Sequence, residues 1–119
     1  MAEFSKLSIY REVCMFSKEI KPSLRIMPKY IQYEIGDELL HLIRDLKYYI
    51  YLINKNDEDR IEYFNKFIDI YNHIKILIDD CLEDNYLSLK GKYTIYSPLK
   101  RLNEIGKQIL KWKKYTERH

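Results

Sequence analysis

IGDELLHLIRDLKYYIYLIN, residues 35–54, is the stretch that decides the fold of this chain. Its apolar side chains recur at spacings of 4, 3, 4, 3 and 4 residues. Because an α-helix turns once in about 3.6 residues, this spacing places them on one face, like the seam of a helical bundle. Asn and Asp at residues 54–57 favour a turn and end the pattern. We therefore predict a helix over residues 31–54, with a seam of Ile35, Leu39, Leu42, Leu46, Tyr49 and Ile53.

Two segments toward the chain ends show the same helical period. Leu7, Tyr10 and Cys14 are three and four residues apart, which predicts a first helix over residues 5–22 that ends at a proline. Ser97-Pro98 is a typical helix start, with the serine as N-cap and the proline in the first turn. The last predicted helix covers residues 97–116, and its seam consists of Leu99, Leu102, Ile105, Ile109 and Trp112.

The remaining helix, predicted over residues 57–85, has two apolar stripes instead of one. Its acidic start, Asp57-Glu58-Asp59, suits the positive end of the helix dipole. Two adjacent stripes make a broad apolar face, which predicts contact with more than one neighbour. The first stripe is Ile61, Phe64, Ile68, Tyr71, Ile78 and Leu82, and the second is Phe67, Ile70, Ile74, Leu77 and Cys81.

Composition narrows the class to one all-α domain. The chain has 119 residues, of which 46% are hydrophobic and 33% charged, and only 3 Gly and 3 Pro are available for turns. These values argue against disorder, against a membrane protein and against a many-stranded β fold. The sequence thus predicts a single-domain, up-down-up-down antiparallel four-helix bundle. No secretory signal is readable and the two cysteines, Cys14 and Cys81, are isolated, so we expect free thiols and a cytoplasmic location.

The net charge of +3 conceals a strong asymmetry along the chain. Residues 57–86 carry three basic and nine acidic side chains, a net charge of −6. Residues 87–119 carry nine basic and two acidic side chains, a net charge of +7. The third helix is therefore acidic, while the fourth helix and the loop before it are basic.

The basic residues are candidates for contact with phosphate groups of RNA or DNA, although a solvated face is an equally simple interpretation. Four lysines of the fourth helix, at spacings of 7, 4 and 3, share one face. Aromatic residues lie among them, and Tyr93, Tyr96, Trp112 and Tyr115 are of the type that stacks on unpaired bases, although the register of Trp112 favours the core. The predicted nucleic-acid-binding set is Arg25, Lys29, Lys90, Lys92, Lys100, Arg101, Lys107, Lys111, Lys113 and Lys114.

The charge asymmetry along the chain is also consistent with self-association. The acidic third helix of one subunit is suited to face the basic fourth helix of the next, a head-to-tail contact that can close into a ring. Tyrosine is enriched at interfaces, and the chain has 12 tyrosines. The predicted interface between subunits consists of Phe67, Ile70, Ile74, Tyr48 and Tyr51.

Patterns typical of catalytic sites and metal sites find little support in the sequence. Glu38 and His41 have the Glu-x-x-His spacing of di-iron bundles, but that site needs a second such pair, and Ile70 occupies the required position before His73. We instead expect His73 to pair with Asp69, one helical turn away. No phosphate-binding glycine loop or nucleophile motif is present. The sequence predicts no catalytic residue, no metal and no cofactor.

Three short motifs carry a resemblance to a known family. They are Met27-Pro28-Lys29, Ile35-Gly36-Asp37-Glu38-Leu39-Leu40, and LNEIGKQILKWK at residues 102–113. Together they resemble the accessory variability determinants of diversity-generating retroelements, which are similar to proteins encoded in 23S rRNA intervening sequences. The residues that match the family pattern are Lys29, Gly36, Gly106, Trp112 and Lys113.

The resemblance implies a four-helix bundle that assembles as a pentamer. It further implies a non-enzymatic role, binding a reverse transcriptase and RNA or DNA through a basic surface during mutagenic retrohoming. Gly36 and Gly106 would permit close approach of helices. The family usually has a basic residue on the third helix, but Lys75 is followed by four acidic residues at 79–84. The alternative is therefore a protein-interaction module of the intervening-sequence type with no nucleic-acid role.

Overall fold

Four long α-helices make up most of the computed structural model, which describes residues 3–118. They are α1 (Ser8–Arg25), α2 (Asp37–Asn54), α3 (Arg60–Glu83) and α4 (Tyr96–Arg118). A 3₁₀ turn, Phe4–Lys6, precedes α1, while an α-helical turn, Lys29–Ile31, and a π-helical turn, Gln32–Gly36, lead without a break into α2. Residues 3–118 contain no strand, so the predicted all-α class and its four helices are confirmed.

The helices pack mainly as two pairs, α1 with α4 and α2 with α3. Ser97 of α4 contacts Glu19 of α1, whereas Gln108 contacts Ser8, so the order of contacts is reversed along the first pair. The second pair is linked by a 3.3 Å contact between His73 Nε2 and Glu38 Oε1. The two pairs join along one continuous core in a particle of 45 × 22 × 22 Å.

The core of α2 follows the predicted seam closely. Leu39, Leu42, Leu46 and Ile53 are buried, while Ile35 and Tyr49 at the seam's margin are partly buried. Ile43 and Ile50, which the seam omits, are buried as well. The buried face of α2 is therefore wider than a two-position heptad seam, as is typical of a helix with neighbours on both sides.

The two stripes predicted on α3 are in fact one buried face with two margins. The buried residues come from both stripes, at spacings of three, seven, four and three, and the other members of the stripes are partly buried or exposed. This corrects the prediction that Phe67 and Ile74 form an interface between subunits, because both are fully buried within one subunit. The buried residues of α3 are Phe64, Phe67, Ile74, Ile78 and Cys81.

Several helix ends differ from the predictions: α1 begins at Ser8 rather than at residue 5, and α3 covers Arg60–Glu83 rather than residues 57–85. Helix α1 continues past Pro22 to Arg25, because Ser23 and Leu24 are buried and hold the last turn against the core. At the start of α4, the prediction that Ser97 is the N-cap residue is wrong. The Thr94 hydroxyl accepts a hydrogen bond from the Tyr96 amide at 3.1 Å, whereas Ser97 Oγ donates to Glu19.

A loop of residues 84–95 joins α3 to α4 and is anchored at both ends. Leu87 and Ile95 are buried in the core, and the Ile95 amide donates to the Ser88 carbonyl at 2.8 Å. Ser23 Oγ of α1 donates to the Tyr93 carbonyl at 2.9 Å, which fixes the loop against the end of α1. The side chains of the loop are thus presented at a defined end of the bundle.

Gly106 is the glycine for which the fold has a clear use. A methyl group at its Cα would fall on the Tyr71 hydroxyl and lie 2.8 Å from Tyr71 Cζ. The absence of a side chain thus lets Tyr71 of α3 lie against the backbone of α4, which confirms the predicted close approach. At Gly36 the nearest atom to such a methyl would be Met27 Cε at 3.6 Å, an ordinary contact, so close packing does not require that glycine.

Candidate nucleic-acid interface

The helix pairing separates the charges of the chain into two halves. Helices α1 and α4 together carry a net charge of +7, whereas α2 and α3 together carry −3. Since each pair packs side by side, the bundle has a basic half and an acidic half. Such a field attracts polyanions to one side of the molecule and repels them from the other.

The four lysines of the α4 face are exposed, as their spacing predicts. They are Lys100, Lys107, Lys111 and Lys114. Within residues 3–118 none of their ammonium groups lies within ion-pair distance of a carboxylate. These cations remain available to an external anion.

Arg101 has a different role from the one predicted. Its Nε donates to Glu19 Oε1 at 2.9 Å and its Nη1 donates to Glu12 Oε2 at 3.2 Å, so one guanidinium joins two carboxylates of α1 to α4. The hydrogen bonds to Glu19 and then Glu12 raise the pKa of Arg101 further above its ordinary value. Its side chain is 32% exposed and its donors are committed to α1, which makes it a clasp between helices. Sequence reasoning missed it because the partners lie 82 and 89 residues away.

Lys113 is also partly engaged within the subunit. Its Nζ lies 3.7 Å from Glu117 Oε1 on the next turn of α4, and its side chain is half-buried. With Arg101 and Lys113 set apart, eight of the ten predicted binding residues are exposed. These eight are Arg25, Lys29, Lys90, Lys92, Lys100, Lys107, Lys111 and Lys114.

The loop before α4 brings basic and aromatic side chains to the end of α1. Lys90, Lys92 and Tyr93 line a cavity of about 260 Å³ together with Ser23 and Ile26 of α1. Because Ile26 follows Arg25 directly, the structure places three predicted basic residues, Arg25, Lys90 and Lys92, around this end of the bundle.

Two tyrosines tie the same loop to the segment that leads into α2. The hydroxyl oxygens of Tyr30 and Tyr86 are 3.3 Å apart, and the hydrogen bond between them is the main cause that raises the pKa of Tyr86, followed by burial and nearby charges such as Asp84. Lys29, adjacent to Tyr30, is exposed at this end as well.

The aromatic residues predicted to stack on bases divide into two groups. Trp112 is half-buried and packs edge-on against Phe64 at 5.2 Å between ring centroids, while the Arg60 guanidinium covers its ring at 5.6 Å. Tyr115 lies beside Asp57, Glu58 and Glu117 around a cavity of about 610 Å³, where acidic groups disfavour a nucleic acid. Tyr93 and Tyr96, in contrast, are exposed next to lysines.

The remaining interface candidates are Tyr48 and Tyr51 of α2 and Ile70 in the middle of α3. Tyr48 and Tyr51 are exposed and stacked, with ring centroids 6.1 Å apart, and Phe4 packs edge-on against Tyr51. Ile70 is partly buried against the core. Of the five predicted interface residues, only Tyr48 and Tyr51 thus form an exposed aromatic surface.

The histidines differ from their predicted pairing. His73 contacts Glu38 of α2 rather than Asp69, and His41 lies 3.7 Å from Asp45 on its own helix. Within the part of the chain that the structure describes, no cluster of three His, Cys, Asp or Glu side chains is arranged to hold a metal ion. Burial and the charges of Asp80 and Asp84 raise the pKa of the Cys81 thiol.

Comparison of the chain with protein-family models, curated proteins and solved structures finds no match. Among residues 3–118, no helix combines the length and the apolar character needed to cross a bilayer.

Proposed function

We propose that this protein is a non-enzymatic accessory subunit that binds RNA or DNA, together with a reverse transcriptase, in a diversity-generating retroelement. The observation that carries the proposal is the net charge of +7 on the α1–α4 pair, with eight predicted binding residues exposed around it. The sequence motifs at residues 27–40 and 102–113 supply the link to mutagenic retrohoming.

The basic half is suited to the phosphate backbone more than to base edges. Lysine ammonium groups neutralise phosphates as point charges and release the counterions that surround a nucleic acid. Lys100, Lys107, Lys111 and Lys114 follow one face of α4 over 14 residues, which is about 21 Å of helix at 1.5 Å per residue. A row of that length spans several nucleotides.

The proposed assembly is an up-down-up-down bundle that forms a homo-oligomer, a pentamer by the family resemblance. Reversed contacts between α1 and α4 support the antiparallel arrangement. The exposed Tyr48–Tyr51 surface and the opposite charges of the two halves support a head-to-tail contact between subunits.

The test is an RNA titration with two charge-matched variants. One variant carries Lys100→Gln, Lys107→Gln, Lys111→Gln and Lys114→Gln, and the other carries Lys47→Gln, Lys55→Gln, Lys66→Gln and Lys75→Gln on the acidic half. Each loses four positive charges, so only the location of the charges differs. Fluorescence anisotropy with a labelled RNA of about 30 nucleotides should show a large loss of affinity for the first variant and a small one for the second. Equal affinity of the α4 variant and the native chain would refute the proposal.

The second candidate is a module that binds only proteins. The acidic α2–α3 half and the exposed rings of Tyr48 and Tyr51 favour it, because aromatic side chains anchor many protein interfaces. Absence of RNA and DNA binding at low salt, with an intact oligomer, would favour this candidate over the first.

A further inference from the structure

Four tyrosines surround the loop end of the bundle. Tyr86 and Tyr93 line the same cavity against α1, and the Tyr86 hydroxyl meets the Tyr30 hydroxyl of the segment before α2. Tyr96 follows Tyr93 by three residues and opens α4. Three of the four, Tyr30, Tyr93 and Tyr96, are exposed.

Two of these rings have a lysine ammonium on one face. Lys92 Nζ lies 5.4 Å from the centroid of the Tyr93 ring, and Lys100 Nζ lies 5.4 Å from that of Tyr96. The two tyrosines are 40% and 59% exposed, respectively. An exposed aromatic ring beside a cation is the combination that single-stranded nucleic-acid sites use.

We infer that the loop end binds single-stranded nucleic acid, with unpaired bases stacked on Tyr93 and Tyr96 and the phosphates held by Lys92 and Lys100. Lys90 and Arg25, at the same end, extend the cationic surface. This inference rests on the proposed function and deepens it, because the α4 lysine row alone would accept single strands and duplexes alike.

Acidic residues fix one border of the site. Glu83 and Asp84, exposed at the end of α3, lie just before Tyr86 and repel phosphate. A bound strand therefore crosses the α1–α4 side of the loop end, where Lys100 begins the lysine row. A duplex keeps its bases paired and inaccessible to the rings, so the tyrosines contribute only to single strands.

The experiment compares single strands and a duplex on ring-removal variants. In Tyr93→Leu/Tyr96→Leu, affinity for a labelled 15-nucleotide uridine or thymidine strand should fall by about 10-fold or more, since both stacking rings are lost. Affinity for a 15-base-pair duplex should change less than about twofold. Tyr93→Phe/Tyr96→Phe, which keeps both rings, should retain the single-strand affinity.

Tyr115→Leu is the matched control on the same helix. Tyr115 is 63% exposed but lies beside acidic residues, so its loss should leave both affinities unchanged. Circular dichroism checks that the variants keep their helices.

The outcomes separate this inference from the proposed function. If the α4 lysine variant loses affinity but the double leucine variant binds single strands as the native chain does, the inference is overturned and the proposed function stands. Equal loss for strand and duplex in the leucine variant also overturns it. If the native chain binds no nucleic acid at low salt, both the inference and the proposed function are refuted.

Discussion

Arg101 has a different role in the structure from the one predicted from the sequence. Next to Lys100 in the sequence it is one more cation, but its guanidinium joins Glu12 and Glu19 of α1. A buried or half-buried carboxylate that loses its cation is left with an unfavourable charge. The two neighbours therefore serve different purposes, stability for Arg101 and anion contact for Lys100.

We predict opposite effects for the two substitutions. Arg101→Gln should lower the thermal unfolding temperature clearly and leave RNA affinity nearly unchanged once the protein is folded. Lys100→Gln should leave the unfolding temperature nearly unchanged and weaken RNA binding. Thermal melts followed by circular dichroism, and anisotropy titrations at a temperature where both variants are folded, check this. A melt of Arg101→Gln equal to that of the native chain would show that the clasp is not stabilising.

Tyr71 and Gly106 form a second contact between helices that depends on single residues. Burial raises the pKa of Tyr71, whose hydroxyl lies against the α4 backbone. Gly106→Ala should destabilise the fold by about 1–3 kcal/mol, because the added methyl forces the ring to move in a packed region. In a Tyr71→Ala background the same substitution should cost little. A double-mutant cycle by urea unfolding measures the coupling, and additive costs would contradict the contact.

At the scale of elements, helix α3 shows what the sequence left ambiguous. Residues such as Phe67, Ile68, Ile70 and Ile74 make the helix apolar over much of its circumference, so periodicity alone does not fix which side faces the core. Helix α2 has a single predicted stripe, which lies on the buried face, and Ile43 and Ile50 widen that face beyond the stripe. The pairing of α1 with α4 and of α2 with α3 depends on packing between distant segments, which periodicity does not encode.

Two isoleucines on α3 test which face of this helix is buried. Ile74 is 0% exposed and Ile76 is 59% exposed, although they are the same residue type two positions apart. Ile74→Ala should lower the free energy of unfolding by about 2–5 kcal/mol, whereas Ile76→Ala should change it by less than about 0.5 kcal/mol. Denaturant unfolding of both variants measures the difference. Similar losses at both sites would mean that the helix is rotated from the face described.

At the scale of the whole molecule, helix pairing converts the charge asymmetry along the sequence into a basic half and an acidic half of the bundle. The sequence placed −6 and +7 on consecutive segments, and helix pairing then adds basic α1 to basic α4. The existence of a basic candidate site was therefore predictable from the sequence. The lysine row of α4 was predictable from its spacing as well. The Arg101 clasp and the tyrosine-rich loop end were not, since both depend on contacts across the bundle.

The oligomeric state is a testable prediction at this scale. If five subunits of 14.6 kDa assemble, the native mass should be about 73 kDa. Tyr48→Lys, which places a charge on the exposed aromatic surface, should shift the mass toward that of the monomer, while Tyr33→Lys should not, since Tyr33 lies outside that surface. Native mass spectrometry checks both variants. A native chain that is monomeric at all concentrations would refute the proposed assembly.

The α4 lysine row is proposed to hold the phosphates of a nucleic acid, and the salt dependence of RNA binding tests this role most directly. For single strands the logarithm of affinity falls with the logarithm of salt by about 0.7 per phosphate neutralised. The native chain should bind tightly at about 50 mM salt with a slope of about −3 or steeper. The variant without Lys100, Lys107, Lys111 and Lys114 should show a slope shallower by about 2–3, since up to four phosphate contacts are lost. Identical slopes for the two proteins, or no binding at low salt, would contradict the account.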